Sequence, residues 1–68
     1  MKIRFNGNEH ILNKETTLFD FLKNQGIDPN AGHIAAALNE MIAKRTQWAG
    51  LLLKEGDRIE LIQAIQGG

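Results

Sequence analysis

An Asn-Gly dipeptide near the start of the chain is the sequence feature that most constrains its fold. Asn6-Gly7 separates Lys2-Ile3-Arg4-Phe5, in which polar and apolar residues alternate, from a second strand-like run, Glu9-His10-Ile11-Leu12. Alternation with a period of two is typical of a half-buried strand, and Asn-Gly between two such runs is the strongest short-range signal for a β-hairpin. The sequence therefore predicts an antiparallel hairpin with Ile3 and Phe5 on one face.

A short amphipathic helix is predicted after this hairpin. Thr17 has the side chain of a helix N-cap, and Asp20 follows three residues later in an approximate capping box. Leu18, Phe21 and Leu22 have the spacing that lines one face of a helix. Gly26 then predicts the C-terminal end of the helix.

Residues 34–44 have two interpretations. The run Ile34 to Lys44 is rich in good helix formers, and propensity alone favours a helix. Alternation instead places Ile34, Ala36 and Leu38 on one face of a strand, with Asn39-Glu40 turning the chain into a further strand, Met41 to Ala43. The residues alone leave both interpretations open.

The last third of the chain predicts a brief helical turn, a buried run and a final strand. The turn is Thr46-Gln47-Trp48-Ala49-Gly50, the buried run is Leu51-Leu52-Leu53, and the strand follows the turn residues Lys54-Glu55-Gly56-Asp57. The fold class predicted is α+β, with four or five short strands and one main helix packed on one face of the sheet.

Composition sets limits on function. At 68 residues the chain forms a single domain, residues 1–68, with a thin core and little room for a deep catalytic pocket. Eight basic and eight acidic side chains balance, so nothing indicates a nucleic-acid partner. Cysteine is absent and no apolar run is long enough to span a bilayer, so we expect no disulfide, no membrane association and a cytoplasmic location.

No group of residues indicates catalysis or a metal site. His10 and His33 stand alone, without the spacing of metal ligands, and neither is assigned a role. Glu55, Asp57 and Glu60 alternate with basic residues and are interpreted as a solvated turn and strand face. We therefore expect no metal, no cofactor bound by the chain itself, and a protein that is not an enzyme. Trp48 is interpreted as core packing.

The C-terminal stretch offers a different chemistry, because Gly67 and Gly68 end the chain directly after the predicted last strand. Glycine has no Cβ, so a Gly-Gly tip is slender and can be threaded into a narrow slot. An α-carboxylate is ionised at neutral pH and can attack the α-phosphate of ATP to give an acyl-adenylate. We predict that Gly67 and Gly68 thread into a partner and that residues 64–68, approximately, form a flexible tail.

The last strand also predicts a contact surface. If Ile59 and Leu61 face the core, then Ile62 and Ala64 fall on the outer face of the sheet. Small apolar residues there would suit docking of an enzyme that handles the tail. We predict partner-binding residues on this strand and tail: Ile62, Ala64, Ile65 and Gln66.

The chain resembles the ThiS family, the small sulfur carriers of bacterial thiamine biosynthesis, over essentially its whole length. The matching pieces lie in the same order and spacing: the N-terminal strand with Asn6-Gly7, Thr16-Thr17 with Leu18, Asp20 and Leu22, Ala35 to Asn39, Arg45 to Trp48, Glu55 to Glu60, and Gln63 to Gly68. Ala43-Lys44 departs from the valine and proline common in the family, which alters a loop only.

The resemblance implies a β-grasp, ubiquitin-like fold, with residues 34–44 as strand, turn and strand. It also implies that Gly68 is adenylated by an E1-like (ThiF-like) adenylyltransferase using ATP, and that the adenylate is converted to a thiocarboxylate with sulfur supplied through a cysteine desulfurase. A ThiG-like thiazole synthase then takes this sulfur for the thiazole ring of thiamine. We expect the free chain to be a monomer.

Three alternatives stay open at this point. A MoaD-like sulfur carrier for molybdopterin synthesis would use the same chemistry, although such carriers tend to be longer and often have prolines before the final glycines. A ubiquitin-like protein modifier would use the same fold and tail. A plain β-grasp binding module would carry its glycines incidentally.

Overall fold

A computed structural model describes residues 1–63 and places a five-stranded mixed sheet in them. The strands are β1 Lys2–Phe5, β2 Asn8–Ile11, β3 Ile34–Leu38, β4 Met41–Ala43 and β5 Arg58–Gln63. The same residues also contain the helix α1 Leu18–Asn24 and a 3₁₀ helix Arg45–Gly50. The strand order is β2-β1-β5-β3-β4, with β1 and β5 parallel and the other neighbours antiparallel. The predicted α+β class is confirmed, with the main helix packed on one face.

The predicted hairpin is β1–β2. Asn6 and Gly7 form its turn with φ angles of 49° and 85°, the left-handed region that glycine and asparagine tolerate best. Phe5 pairs with Asn8 at the closed end, and Lys2 pairs with Ile11 at the open end. The side chain of Asn6 also reaches β5, where its Oδ1 accepts a hydrogen bond from the N–H of Leu61 at 2.9 Å. The turn therefore fixes the last strand as well as the first two.

Helix α1 has the predicted ends. The hydroxyl of Thr17 accepts a hydrogen bond from the N–H of Asp20 at 3.1 Å, which satisfies one of the free donors of the first turn. At the other end Gly26 has φ 81°, its N–H donates to the Lys23 carbonyl, and the N–H of Ile27 donates to the Leu22 carbonyl. This pair of bonds is a Schellman motif.

Residues 34–44 form strand, turn and strand, as the family resemblance implies. Asn39 and Glu40 make the turn with φ angles of 52° and 72°. The segment is extended despite its helix propensity. As a strand between β4 and β5 it buries Ile34 and Ala36 in the core. Tertiary burial decides between the two interpretations.

One core lies between the sheet and α1. Its buried members come from the sheet, both helices and the segment before β5: Ile3, Leu18, Phe21, Leu22, Ile34, Ala36, Trp48, Leu53 and Ile59. The indole Nε1 of Trp48 donates to the Ala43 carbonyl at 2.9 Å, which satisfies its polar atom inside the core. The interpretation of Trp48 as packing is confirmed.

Two local predictions are wrong. Leu51-Leu52-Leu53 is not a buried run: Leu53 is buried, but Leu52 is 48% exposed, because the segment is extended and pairs with Thr17 across an isolated bridge, so its side chains alternate. Asp57 is not solvated. It is only 7% exposed, and its carboxylate accepts hydrogen bonds from the Lys54 N–H at 2.7 Å and the Asn39 side-chain amide at 3.0 Å.

Neither helix within residues 1–63 has the length and apolar character needed to cross a membrane.

Candidate functional site

Strand β5 lies in the middle of the sheet and leads the chain into residues 64–68. It pairs with β1 on one side and with β3 on the other. Ile59 is 1% exposed and Leu61 is half-buried, whereas Ile62 is 54% exposed. The prediction that Ile59 and Leu61 face the core and Ile62 faces outward is therefore confirmed.

Ile62 belongs to a group of apolar residues on the face of the sheet opposite α1. Directly paired residues on neighbouring strands project to the same face. Ile62 pairs with Ala35, and Ala37, two residues further along β3, pairs with Ile42. Ile42 is 69% exposed. We call Ala35, Ala37, Ile42 and Ile62 the outer apolar patch.

Sequence reasoning missed Ile42 as a surface residue of this patch. The signal was present but depended on the interpretation of residues 34–44. Once Asn39-Glu40 is a two-residue turn, Leu38 pairs with Met41 and Ile42 must fall opposite Ala37. A helix over the same residues would have given no such neighbour.

Charged side chains border the patch on the side of β1. Arg4 and Arg58 are directly paired across the parallel strands, and Glu60 is paired with Ala37. The guanidinium of Arg58 lies 3.2 Å from a carboxylate oxygen of Glu40, and Nη1 of Arg4 donates to the Gly7 carbonyl at 3.3 Å. An open depression of about 430 Å³ lies there, lined by Arg4, Asn6, Gly7, Arg58, Ile59 and Glu60. An apolar patch with a polar border is the surface expected of a protein–protein contact.

The remaining predicted site residues lie outside the described residues. These are Gly67 and Gly68, predicted to thread into a partner, and the partner-binding residues Ala64, Ile65 and Gln66. Of the predicted set, the structure therefore places Ile62 alone. The predictions for the others stay predictions.

The two histidines lie apart from each other in the structure. His10 packs edge-on against the rings of Phe5 and Phe21, at centroid distances of 5.9 and 5.5 Å, and so contributes to packing. His33 is exposed in the loop before β3. Among residues 1–63 no group of three or more histidine, aspartate or glutamate side chains is arranged to hold a metal ion.

Comparisons with known sequences find relatives that match the chain over its whole length. The model of the ThiS family matches residues 3–68. The sulfur carrier protein ThiS of Escherichia coli is 34% identical over 68 residues, which is all of both chains. A thiazole synthase from Magnetococcus marinus is also 34% identical over 68 residues, and the chain spans only 20% of that protein's length.

Comparisons with solved structures show the fold. The crystal structure of the thiamine biosynthesis protein ThiS from Geobacter metallireducens matches with a TM-score of 0.82 and 20% identity, covering all of both chains. The solution structure of a thiamine biosynthesis protein from the same organism matches with a TM-score of 0.78 and 20% identity, covering all of this chain and 88% of that one. The expected β-grasp fold is confirmed. Because the family model covers nearly the whole chain and the Escherichia coli relative matches it from end to end, the chain belongs to the ThiS family of sulfur carrier proteins.

Proposed function

We propose that the carboxylate of Gly68 carries sulfur as a thiocarboxylate for formation of the thiazole ring of thiamine. Membership of the ThiS family and the named role of the Escherichia coli relative support this proposal. The structural observation that carries it is the position of Ile62. The strand that leads to Gly67-Gly68 ends beside an exposed apolar patch, so an enzyme bound to the patch lies next to the start of the tail.

The chemistry needs only the carboxylate from this chain. An oxygen of the Gly68 carboxylate attacks the α-phosphorus of ATP, and pyrophosphate leaves. The acyl-adenylate is a mixed anhydride, and the terminal sulfur of a partner's persulfide then attacks its carbonyl carbon with AMP as the leaving group. A thiol reduces the acyl disulfide formed in this way and releases the thiocarboxylate. ATP is bound by the partner enzyme, so the chain acts as a carrier and co-substrate and does not bind a cofactor itself.

The first proposed partner is an E1-like adenylyltransferase that binds the outer apolar patch. Ile42 and Ile62 are isoleucines with more than half of their surface exposed, on the two sides of Ala35 and Ala37. Burial of such side chains at an interface provides a hydrophobic driving force of roughly 25 cal/mol per Å². The paired Arg4 and Arg58 and the nearby Glu60 would form the polar rim of the contact.

The second proposed partner is a thiazole synthase that receives the sulfur. The relative from Magnetococcus marinus is named a thiazole synthase, and one fifth of its length resembles this chain. A carrier-like segment within such a protein supports the idea that the two functions work together. A cysteine desulfurase is proposed as the indirect source of the sulfur.

Glycine at position 67 suits delivery of the carboxylate to two active sites in turn. Both active sites would have to enclose a reactive carbonyl and exclude water, so each would be reached through a narrow opening. A residue without a Cβ gives the thinnest backbone and the widest choice of φ and ψ angles. We therefore propose that Gly67 and Gly68 are the segment that enters these openings.

Intact-mass analysis tests the proposal. The chain is incubated with ATP, an E1-like adenylyltransferase, a cysteine desulfurase, cysteine and a thiol reductant. The expected product has one terminal oxygen replaced by sulfur, and its formation requires ATP. A matched control lacks Gly67 and Gly68 and is expected to stay unmodified. An unmodified full-length chain under conditions that modify the Escherichia coli carrier would contradict the proposal.

A further inference from the structure

The end of strand β3 has a neighbour on one side only. Ile34, its first residue, pairs with Gln63 of β5. On the other side β4 ends at Ala43, which pairs with Ala36, so residue 45 would have to continue the strand in order to face Ile34. The chain instead turns into the 3₁₀ helix that begins at Arg45. On the edge of β3 that faces β4, Ile34 would therefore be left without a backbone hydrogen-bond partner.

The side chain of Arg45 takes that place. Its Nη2 donates a hydrogen bond to the Ile34 carbonyl and its Nη1 donates one to the Pro29 carbonyl, each at 2.6 Å. Hydrogen bonds from a charged donor are shorter and stronger than those between neutral groups. The planar fork of the guanidinium thus holds the start of β3 and the loop before it in one arrangement.

The guanidinium is itself fixed by Trp48. Its carbon Cζ lies 4.8 Å from the centroid of the indole ring, within the range of a cation–π interaction. The two residues are three apart in a 3₁₀ helix, where side chains at that spacing lie directly above each other. Trp48 is buried and bonded to the Ala43 carbonyl. Arg45 therefore packs against the buried Trp48 on one side and donates its hydrogen bonds to the start of β3 and the loop before it on the other.

This arrangement shows which of the last strand pairs are hydrogen-bonded. Because the carbonyl of Ile34 points to Arg45, it points away from β5, and Ile34–Gln63 is a pair without mutual hydrogen bonds. In an antiparallel ladder such pairs alternate with hydrogen-bonded ones, so Ala35–Ile62 is the last hydrogen-bonded pair before residues 64–68. The stability of that pair depends on β3 staying in place at Ile34.

We propose that Arg45 is a positioning residue that fixes the point at which the chain leaves the sheet toward Gly68. This inference rests on the proposed function, since it assigns Arg45 the task of keeping the end of β5, where the tail begins, in a constant position beside the outer apolar patch. Arg45 acts through Ile34 and the Ala35–Ile62 pair, and it touches no reacting atom. Lysine is not equivalent to it, because an ammonium is a point charge and lacks the planar fork whose two nitrogens donate to the two carbonyls.

Amide hydrogen exchange by NMR is the first test and needs no partner. In the unchanged chain, the amides of Ala35 and Ile62 are expected to be protected as well as those of the central pair Ala37–Glu60. In Arg45→Lys their exchange is expected to become about tenfold faster, the size expected when a hydrogen bond to a charged group is lost. Arg45→Gln, which keeps one amide donor, is the second variant in case the first does not fold. A frayed Ala35–Ile62 pair in the unchanged chain would by itself overturn the proposal.

Ile3→Val is the matched control, because it removes one methylene from the same core at a site away from Arg45. Ile3 lies on β1, and β1 pairs with β5 at Arg58 and Ile59, far from the Ala35–Ile62 pair. Both variants are compared at equal global stability, adjusted with urea. The inference is overturned if Ile3→Val accelerates exchange at Ala35 and Ile62 as much as Arg45→Lys does.

ATP–pyrophosphate exchange with the carrier as the varied substrate is the second test. Arg45→Lys is expected to lower kcat severalfold with KM nearly unchanged. Docking on the outer apolar patch is kept, but the start of the tail is no longer held in one position, so the carboxylate reaches the active site less often. Equal kcat values for Arg45→Lys and Ile3→Val would overturn the inference. Absence of exchange with the unchanged chain would instead count against the proposed function, and hydrogen exchange would still decide the role of Arg45.

Discussion

Asn39 and Arg58 are joined by two hydrogen bonds that run in opposite directions between the β3–β4 turn and the start of β5. The N–H of Asn39 donates to the Arg58 carbonyl at 2.8 Å, and the N–H of Arg58 donates to Oδ1 of Asn39 at 2.9 Å. The side-chain amide of Asn39 also donates to the buried carboxylate of Asp57. Asn39 thus holds the turn and the register of β3 on β5. It also provides a hydrogen bond to a buried carboxylate that would otherwise destabilise the fold.

Replacement of Asn39 is expected to destabilise the fold in two separable ways. Asn39→Gly removes the side-chain bonds but keeps tolerance of the φ angle of 52°, and is expected to lower the free energy of unfolding by about 2 kcal/mol. Asn39→Ala also keeps a Cβ in the left-handed region without the polar side chain that makes this region accessible to asparagine, which is expected to cost about 1 kcal/mol more than Asn39→Gly. Urea unfolding measures both values. Equal stability of Asn39→Ala and the unchanged chain would show that these contacts do not hold the turn.

The features that sequence reasoning predicted correctly are local. The β1–β2 turn, the cap at Thr17 and the end of α1 at Gly26 each depend on a residue whose own backbone preference or side-chain bond produces the observed geometry. The outward direction of Ile62 follows from alternation along a single strand. Such features need no knowledge of distant residues.

The features that sequence reasoning missed depend on contacts between distant segments. The charged sequence neighbours of Asp57 predict a solvated side chain, but its hydrogen-bond partners include Asn39, 18 residues away. Ile42 joins the patch only after β4 pairs with β3. Arg45 binds carbonyls of Pro29 and Ile34, and no pattern in the sequence indicates that a backbone carbonyl will lack a partner there.

The N-cap of α1 is expected to contribute measurably to stability. Thr17→Ala removes the hydroxyl that accepts from the N–H of Asp20, and is expected to lower the free energy of unfolding by about 1 kcal/mol. Thr46→Ala is the matched control, since Thr46 is exposed in the 3₁₀ helix and is expected to change stability by less than about 0.5 kcal/mol. Thermal or urea unfolding of both variants gives the comparison. Similar effects of the two changes would contradict the assignment of the cap.

The outer apolar patch is expected to bind the adenylyltransferase. Ile62→Asp and Ile42→Asp each place a charge where an apolar contact is proposed, and each is expected to raise the Kd by about tenfold or more. Neither side chain is buried, so the stability of the free chain is expected to change by less than about 1 kcal/mol. Isothermal titration measures the affinity.

Ile11→Asp is the control for these patch variants. Ile11 is 60% exposed and is paired with Lys2 at the far edge of the same sheet, on β2. The same chemical change is made there, outside the patch, and the affinity is expected to stay unchanged. Equal losses for Ile11→Asp and Ile62→Asp would show a general effect of charge on this face and would exclude the patch as a specific docking surface.

A side chain at position 67 is expected to block adenylation. Gly67→Val adds a branched group to the segment proposed to enter the active-site opening and restricts its backbone angles, so ATP–pyrophosphate exchange is expected to fall to background while the fold is kept. Gly32→Ala is the control, because an added Cβ at Gly32 meets no atom within 4 Å. The rate of ATP–pyrophosphate exchange with this variant is expected to match that with the unchanged chain. Circular dichroism verifies that both variants are folded. Normal exchange with Gly67→Val would mean that the carboxylate is not delivered through a narrow opening, and the role assigned to the two glycines would then be wrong.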